Sequence, residues 1–226
     1  MSTPRLVEVR QNILKQNDVL ARTLRQRFAE AGVCVISLVS SPGAGKTTLL
    51  EKTLTNLRRD GVRVAALVGD LATENDAARL ARSEAPVKQI VTGTVCHLDA
   101  EMVERSLSDW NLNDLDYLFI ENVGNLVCPS SYDLGENLRA VLMSVTEGED
   151  KPLKYPTIFN TADVALITKI DLATAVEFDL TAAYNSIQSV RPGMEVMEVS
   201  AKTGEGIDEF MQFLESRVQI GVAARP

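Results

Sequence analysis

The sequence predicts an α/β fold: a mainly parallel sheet of about seven strands flanked by helices, with a further helix at the N-terminus. Two patterns predict it. Short runs rich in Val, Ile and Leu recur along the chain, separated by stretches with helical spacing of apolar residues. Near-continuous apolar strands belong to sheets buried on both faces, the environment of a parallel sheet covered by helices. A glycine-rich loop also stands between the first such run and the next helix, where open α/β sheets bind their ligands, at the carboxyl ends of strands.

The elements follow in order. Residues 5–31 read as a helix, in which Ile13, Leu20, Leu24 and Phe28 recur at spacings of seven and four with charged residues between them, and Gly32 supplies a stop. Core packing is the expected use of that apolar stripe. Strands are expected at 33–39 (VCVISLV), 62–68 (VRVAALV), 87–91 (VKQIV), 115–121 (LDYLFIE), 138–145 (LRAVLMSV), 163–168 (DVALIT) and 194–200 (MEVMEVS). The loop 40–47 turns the first strand into a helix that runs to about Arg59. Further helices are expected over 175–190 and 205–219. The charged, proline-bearing segment 146–157 (TEGEDKPLKYPT) reads as a loop. A length of 226 residues suits one domain over 1–226, with an N-terminal helical extension (1–31) and a core (32–226) that binds ligands.

Composition narrows the function. Hydrophobic residues make up 45% and charged residues 24%, enough for a core and a solvated surface. The net charge of −8 argues against broad nucleic-acid binding, because phosphates would be repelled. The lack of a run of about 18 apolar residues argues against a membrane span, and the first residues lack the apolar stretch of a secretory signal. Three cysteines, an odd number, point to free thiols in a reducing cytoplasm.

The stretch SSPGAGKTTLL (40–50) reads as the phosphate-binding loop G-x-x-x-x-G-K-[ST], with Ser40 in place of the first Gly. It follows an apolar strand and opens a helix, the context the motif requires, so the fold expected is that of a P-loop NTPase. Gly43, Ala44 and Gly45 form the loop, and the two glycines let backbone N–H groups approach phosphate oxygens at a helix N-terminus. Lys46 reaches the β- and γ-phosphates, the Thr47 hydroxyl ligates Mg²⁺, and Thr48 serves the α-phosphate.

The base is read elsewhere. TKID (168–171) resembles the guanine motif N-K-x-D, with Thr168 for Asn. The Asp171 carboxylate accepts two hydrogen bonds from guanine N1–H and the 2-amino group, a pair that adenine lacks. The Lys169 stem covers the base plane. Ser200, Ala201 and Lys202 end the next strand, where a backbone donor meets guanine O6. Two such signals on consecutive strand ends favour GTP over ATP. Asp70 and Glu121 end other strands, where their carboxylates can hold Mg²⁺ through water and orient a nucleophilic water. Gly124 would let a backbone N–H meet the γ-phosphate. No clear catalytic Gln or arginine finger is present, so hydrolysis by the isolated protein should be slow.

A second constellation lies in TVCHLDA and NLVCP. Cys96 and His97 follow one strand and Cys128 follows another, at the same sheet edge. Soft sulfur with imidazole suits Zn²⁺ or Ni²⁺. Two or three ligands leave the site incomplete, and a two-fold dimer would complete it. The residues alone leave open the other reading, a small buried Cys and an incidental His. Cys34 sits inside the first strand as core filler.

Together, SSPGAGKTTLL, Gly69-Asp70, TVCHLDA, IENVGNLVCP, DLGE and TKIDL closely resemble the hydrogenase nickel-incorporation GTPases, the HypB family, from about Ile13 to about Phe213. That resemblance implies a SIMIBI-class GTPase that forms a homodimer around GTP and returns to GDP, and that helps deliver Ni²⁺ to [NiFe]-hydrogenase during maturation. It implies as partners a HypA-like zinc-binding chaperone and the hydrogenase large-subunit precursor, and as metal ligands Cys96, His97 and Cys128. The N-terminal cysteine-rich nickel motif and the histidine-rich tract of the family are not in this sequence. Other readings are a urease accessory GTPase, whose family has a proline between Cys and His; an ATP-dependent small-molecule kinase or synthetase of related fold; and a metal-storage protein, disfavoured by one His and three Cys.

Overall fold

Alternate side chains of the central strands serve two different cores, as period-2 geometry requires. In β1 (Cys34–Ser40), Ile36 and Leu38 point to one face of the sheet, while Val35 and Val39 point to the other. The computed structural model describes residues 5–70 and 75–223; residues 1–4, 71–74 and 224–226, at the ends and within the expected single domain, lie outside the described residues. Around β1 the elements run α1 (Arg5–Ala31), α2 (Lys46–Arg59), β2 (Val64–Asp70), α3 (Asn75–Leu80), β3 (Val87–Val91), α4 (Ala100–Ser106), β4 (Tyr117–Glu121), β5 (Leu138–Ser144), α5 (Lys151–Lys154), α6 (Pro156–Thr161), β6 (Val164–Thr168), α7 (Leu180–Val190), β7 (Glu195–Val199) and α8 (Ile207–Ala223).

The seven strands form one sheet in the order β3-β2-β4-β1-β5-β6-β7, and every pairing is parallel. On one face Leu50, Leu54 and Leu57 of α2 meet Phe210 and Leu214 of α8 over Phe119, Ala140 and Leu166. On the other, Leu24 and Phe28 of α1 and Val103 of α4 cover Leu118 and Ile120, and Ile187 of α7 covers Val141 and Ile167. Ser40, Asp70, Glu121 and Thr168 are the last residues of β1, β2, β4 and β6, so the parallel sheet brings them to one edge.

All seven expected strands are present, β3 with the expected ends and the others with ends shifted by one or two residues. β2 starts at Val64 rather than residue 62, because the Arg63 N–H donates to the Asp116 carboxylate at 2.9 Å instead of to a neighbouring strand. β4 starts at Tyr117 rather than 115, after a short 3₁₀ turn over Leu112–Asp114. The segment 146–157 is not a plain loop. It holds α5 and the start of α6, each with Pro near its N-terminus, where the missing N–H loses nothing. α7 begins at Leu180 rather than 175, where Asp179 caps it by accepting from the Ala182 N–H at 3.0 Å. The buried stripe of α1 is Asn17, Ala21, Leu24 and Phe28; Ile13, expected on that stripe, is 48% exposed.

Candidate functional site

The phosphate loop begins where β1 ends. Gly43 and Gly45 take φ of +75° and +98°, a left-handed backbone that favours glycine. Ser40 belongs to β1 and has no positive φ, so the first position of the motif does not require glycine here. Its hydroxyl instead accepts from the Lys46 ammonium at 2.9 Å and donates to the Ser41 carbonyl at 2.6 Å.

Lys46 is buried, and burial lowers its pKa against the opposing pull of Glu121. Thr47 donates its hydroxyl to Glu121 Oε1 at 2.7 Å, while the buried Glu121 Oε2 has no partner. Burial pushes the Glu121 carboxyl up to about 7, against Lys46 and the Thr47 hydrogen bond, and with a smaller upward push from Asp76 and Asp70. These groups line a cavity of about 510 Å³ with Gly43, Thr48, Asp70 and Gly124. A Cβ on Gly124 would lie 2.9 Å from Pro42 Cα, so only glycine lets the chain after β4 press on the phosphate loop. One hydroxyl and two carboxylates, one of them with an unsatisfied buried oxygen, form a hard donor set that fits Mg²⁺.

A second cavity of about 220 Å³ shares Gly45, Thr48 and Lys169 with the first, and is lined further by Asp171, Ser200, Ala201 and Lys202. Thr168, in the Asn position of the guanine motif, donates to the Ala44 carbonyl at 2.6 Å. It thereby fastens the base-side strand to the phosphate loop. Lys169, at φ +58°, donates to the Gly43 carbonyl at 2.7 Å. Asp171 is held from two sides: its Oδ1 accepts from the Ser200 hydroxyl at 2.7 Å, and Lys202 Nζ lies 3.9 Å from Oδ2.

The sulfur and imidazole ligands also converge. One ligand atom each from Cys96, His97 and Cys128 lies within 4.8 Å of the others, and the two Sγ atoms are 2.8 Å apart. The His97 ring stacks on Tyr132 with centroids 3.9 Å apart. Its Nδ1 is buried without a hydrogen-bond partner, and burial lowers its pKa against Asp99. A neutral imidazole with an open nitrogen is the form a metal binds. Cys34 lies at the amino end of β1, away from this edge, and burial pushes its thiol up to about 11.

Asn122, one residue past Glu121, joins the two sites. Its buried Oδ1 accepts from the Leu98 N–H at 3.0 Å and from the Val123 N–H at 2.9 Å. Leu98 follows His97 directly, and its side chain packs on Gly69, where a Cβ would come within 2.8 Å. Neither Asn122 nor Tyr132 stands out in the sequence. The one available signal is an amide immediately after an apolar strand, where a buried polar group needs partners.

The sheet order, the glycine-rich loop and the joined cavities define a P-loop nucleotide-binding protein with a thiolate–imidazole cluster beside its nucleotide site. Known proteins narrow the class. A family model described as the CobW/HypB/UreG nucleotide-binding domain matches residues 34–198. The hydrogenase maturation factor HypB of Escherichia coli (strain K12) is 46% identical over 217 residues, covering 96% of this chain and 74% of that one. The crystal structure of HypB from Helicobacter pylori in complex with nickel aligns with a TM-score of 0.85 at 39% identity, covering 90% of this chain and 95% of that one. That of HypB from Archaeoglobus fulgidus aligns with a TM-score of 0.84 at 38% identity, covering 90% and 99%. The chain belongs to the HypB family of hydrogenase maturation factors, within the CobW/HypB/UreG group of nucleotide-binding proteins.

Proposed function

We propose that this protein hydrolyses GTP to GDP and phosphate and uses the cycle to deliver nickel to [NiFe]-hydrogenase during maturation. The observation that carries the proposal is the convergence of Cys96, His97 and Cys128, with Asn122, which directly follows Glu121, bonded into the Cys-His loop. The H. pylori relative, at 39% identity, was crystallised with nickel. Each subunit offers at most two thiolates at this edge, so a GTP-promoted homodimer would supply four across its two-fold axis. Zn²⁺ fits the same ligands.

Asp171, already oriented by Ser200, would read guanine N1–H and the 2-amino group. Lys46, Gly43, Ala44, Gly45 and Thr48 would hold the phosphates. Thr47, Asp70 and Glu121 would hold Mg²⁺, which supplies charge neutralisation on the β- and γ-phosphate oxygens. The raised pKa of Glu121 suits a group that holds or orients a water. The partners proposed are a HypA-like zinc-binding chaperone and the hydrogenase large-subunit precursor, in the cytoplasm. No described helix is long and apolar enough to cross a membrane.

The test is titration with Ni²⁺ and Zn²⁺ in the presence of GDP or a non-hydrolysable GTP analogue, with oligomeric state followed in parallel. Metal affinity and dimerisation should both change with the nucleotide. Identical affinity and identical oligomeric state in the two nucleotide states would refute the coupling.

A further inference from the structure

We infer that Asn17 of α1 is a positioning residue for the metal site, fastening the two ligand-bearing loops to each other. The inference rests on the metal reading of Cys96, His97 and Cys128. Asn17 is buried, and its side chain reaches in two directions at once. Its Nδ2 donates to the Asp133 carbonyl at 2.9 Å, and its Oδ1 accepts from the Ala100 N–H at 2.9 Å. Ala100 lies three residues after His97, and Asp133 lies five residues after Cys128 and directly follows Tyr132, on which His97 stacks. One amide thus spans the loop that carries Cys96 and His97 and the loop that carries Cys128.

The anchorage behind this amide is firm. Leu24 and Phe28, on the same face of α1 two and three turns along, are fully buried in the core. Arg25 donates to the Asp133 carboxylate at 2.7 Å. Gly135 takes φ +79° and comes so close to α1 that a Cβ there would lie 2.8 Å from the Ala21 carbonyl oxygen. The helix therefore grips the Cys128 loop over about two turns, from Asn17 to Arg25, and Asn17 transmits that grip to the Cys-His loop. A buried asparagine on an otherwise apolar stripe is costly unless both ends are bonded. Here both are, and the bonds lie between the two strands of chain whose separation sets the Sγ–Sγ distance. Partners that orient metal ligands from outside the ligand set commonly change affinity by about 10- to 100-fold. Asn17 acts through backbone rather than on a ligand atom, so a loss near the lower end, about tenfold, follows.

The experiment compares wild type, Asn17→Ala, Asn17→Asp and Leu214→Ala. Leu214 of α8 is buried in the cluster on the opposite face of the sheet, which includes no residue of either loop, so its truncation supplies a loss of stability without loosening the clamp. Asn17→Asp keeps the shape and the acceptor for Ala100 but sets a carboxylate oxygen against the Asp133 carbonyl oxygen, so it opens the clamp from the Asp133 side alone. Each is titrated with Ni²⁺ against a chelator, with GTP affinity, melting temperature and the thiolate-to-nickel charge-transfer absorption recorded. Asn17→Ala should bind Ni²⁺ about tenfold more weakly, with a shifted absorption and wild-type GTP affinity. Asn17→Asp should change in the same direction by at least as much, and Leu214→Ala should melt lower with wild-type metal binding. Wild-type nickel affinity and absorption in both Asn17 variants would overturn the inference, as would an equal nickel loss in Leu214→Ala. A wild-type protein that binds neither Ni²⁺ nor Zn²⁺ would overturn the metal reading itself.

Discussion

Replacing Glu121 with Gln should make the nucleotide-free protein more stable relative to wild type as pH rises. The Glu121 carboxyl is raised from 4.5 to about 7, chiefly by burial. The folded state therefore keeps this proton up to about pH 7, whereas the unfolded chain releases it near 4.5. Between those values the folded state binds more protons, so stability falls as pH rises, and the loss is complete above about 7. At about 1.4 kcal/mol per pH unit, the window is worth roughly 3 kcal/mol. For a chain of this size that corresponds to a melting temperature change of about 6–12 °C.

Glu121→Gln has no such titration, so the stability difference between mutant and wild type should grow by roughly 3 kcal/mol between pH 4.5 and 8. Lys46 opposes the shift, so the same pair compared in a Lys46→Met background should show a larger total difference that extends to higher pH. Mg²⁺ with nucleotide places positive charge beside the carboxylate and should flatten the wild-type curve. The assay is denaturant unfolding followed by circular dichroism across this range, with phosphate release measured on the same samples. Turnover should fall in Glu121→Gln while nucleotide binding persists. Parallel stability curves for mutant and wild type would refute the burial of an ionisable Glu121 as the source of the effect.

Three further outcomes follow from the site geometry. Asp171→Asn should lose GTP affinity by a few kcal/mol, on the order expected of an unmatched buried pair, and gain xanthosine triphosphate, as read by competition binding. Thr168→Val removes the donor to the Ala44 carbonyl at nearly constant volume, and should cost about 1 kcal/mol in unfolding free energy and weaken nucleotide binding, measured by calorimetry. Cys34→Ala should titrate with Ni²⁺ like wild type, because its thiol is buried at the far end of β1, whereas Cys96→Ala and His97→Ala should lose the metal.

The fold was legible because its signals are local. Each strand is a short apolar run, and the phosphate loop is contiguous from Ser40 to Thr48. Failures came where local patterns were too short or were overruled. α5 and α6 are four and six residues long, too short to show a helical period, and their prolines read as loop signals although they stand near helix starts. Ile13 fits the spacing of the α1 stripe, yet at that turn the helix has run past the body that covers Leu24 and Phe28. The chemical residues of the site were nameable from their types, since carboxylates, thiols and an imidazole at strand ends carry their chemistry with them. The residues that hold them were not. Asn17 meets its Asp133 partner 116 positions away, and Asn122 meets Leu98 across 24, and spacing along a chain does not report such encounters.

The docking of Lys46 on Ser40 has a consequence for how fast and how tightly nucleotide is taken up. A free lysine side chain gives up roughly 2 kcal/mol of rotamer freedom when it is fixed. Here the ammonium is already seated, 2.9 Å from a neutral hydroxyl that can release it without leaving a charge behind. The ordering belongs to folding, so an arriving triphosphate meets a cation held in place, and the chain with an ordinary glycine at position 40 would have to recruit it after encounter. Serine at the head of the loop is thus a placeholder for phosphate, and it shifts part of the work of binding from the encounter to the resting protein.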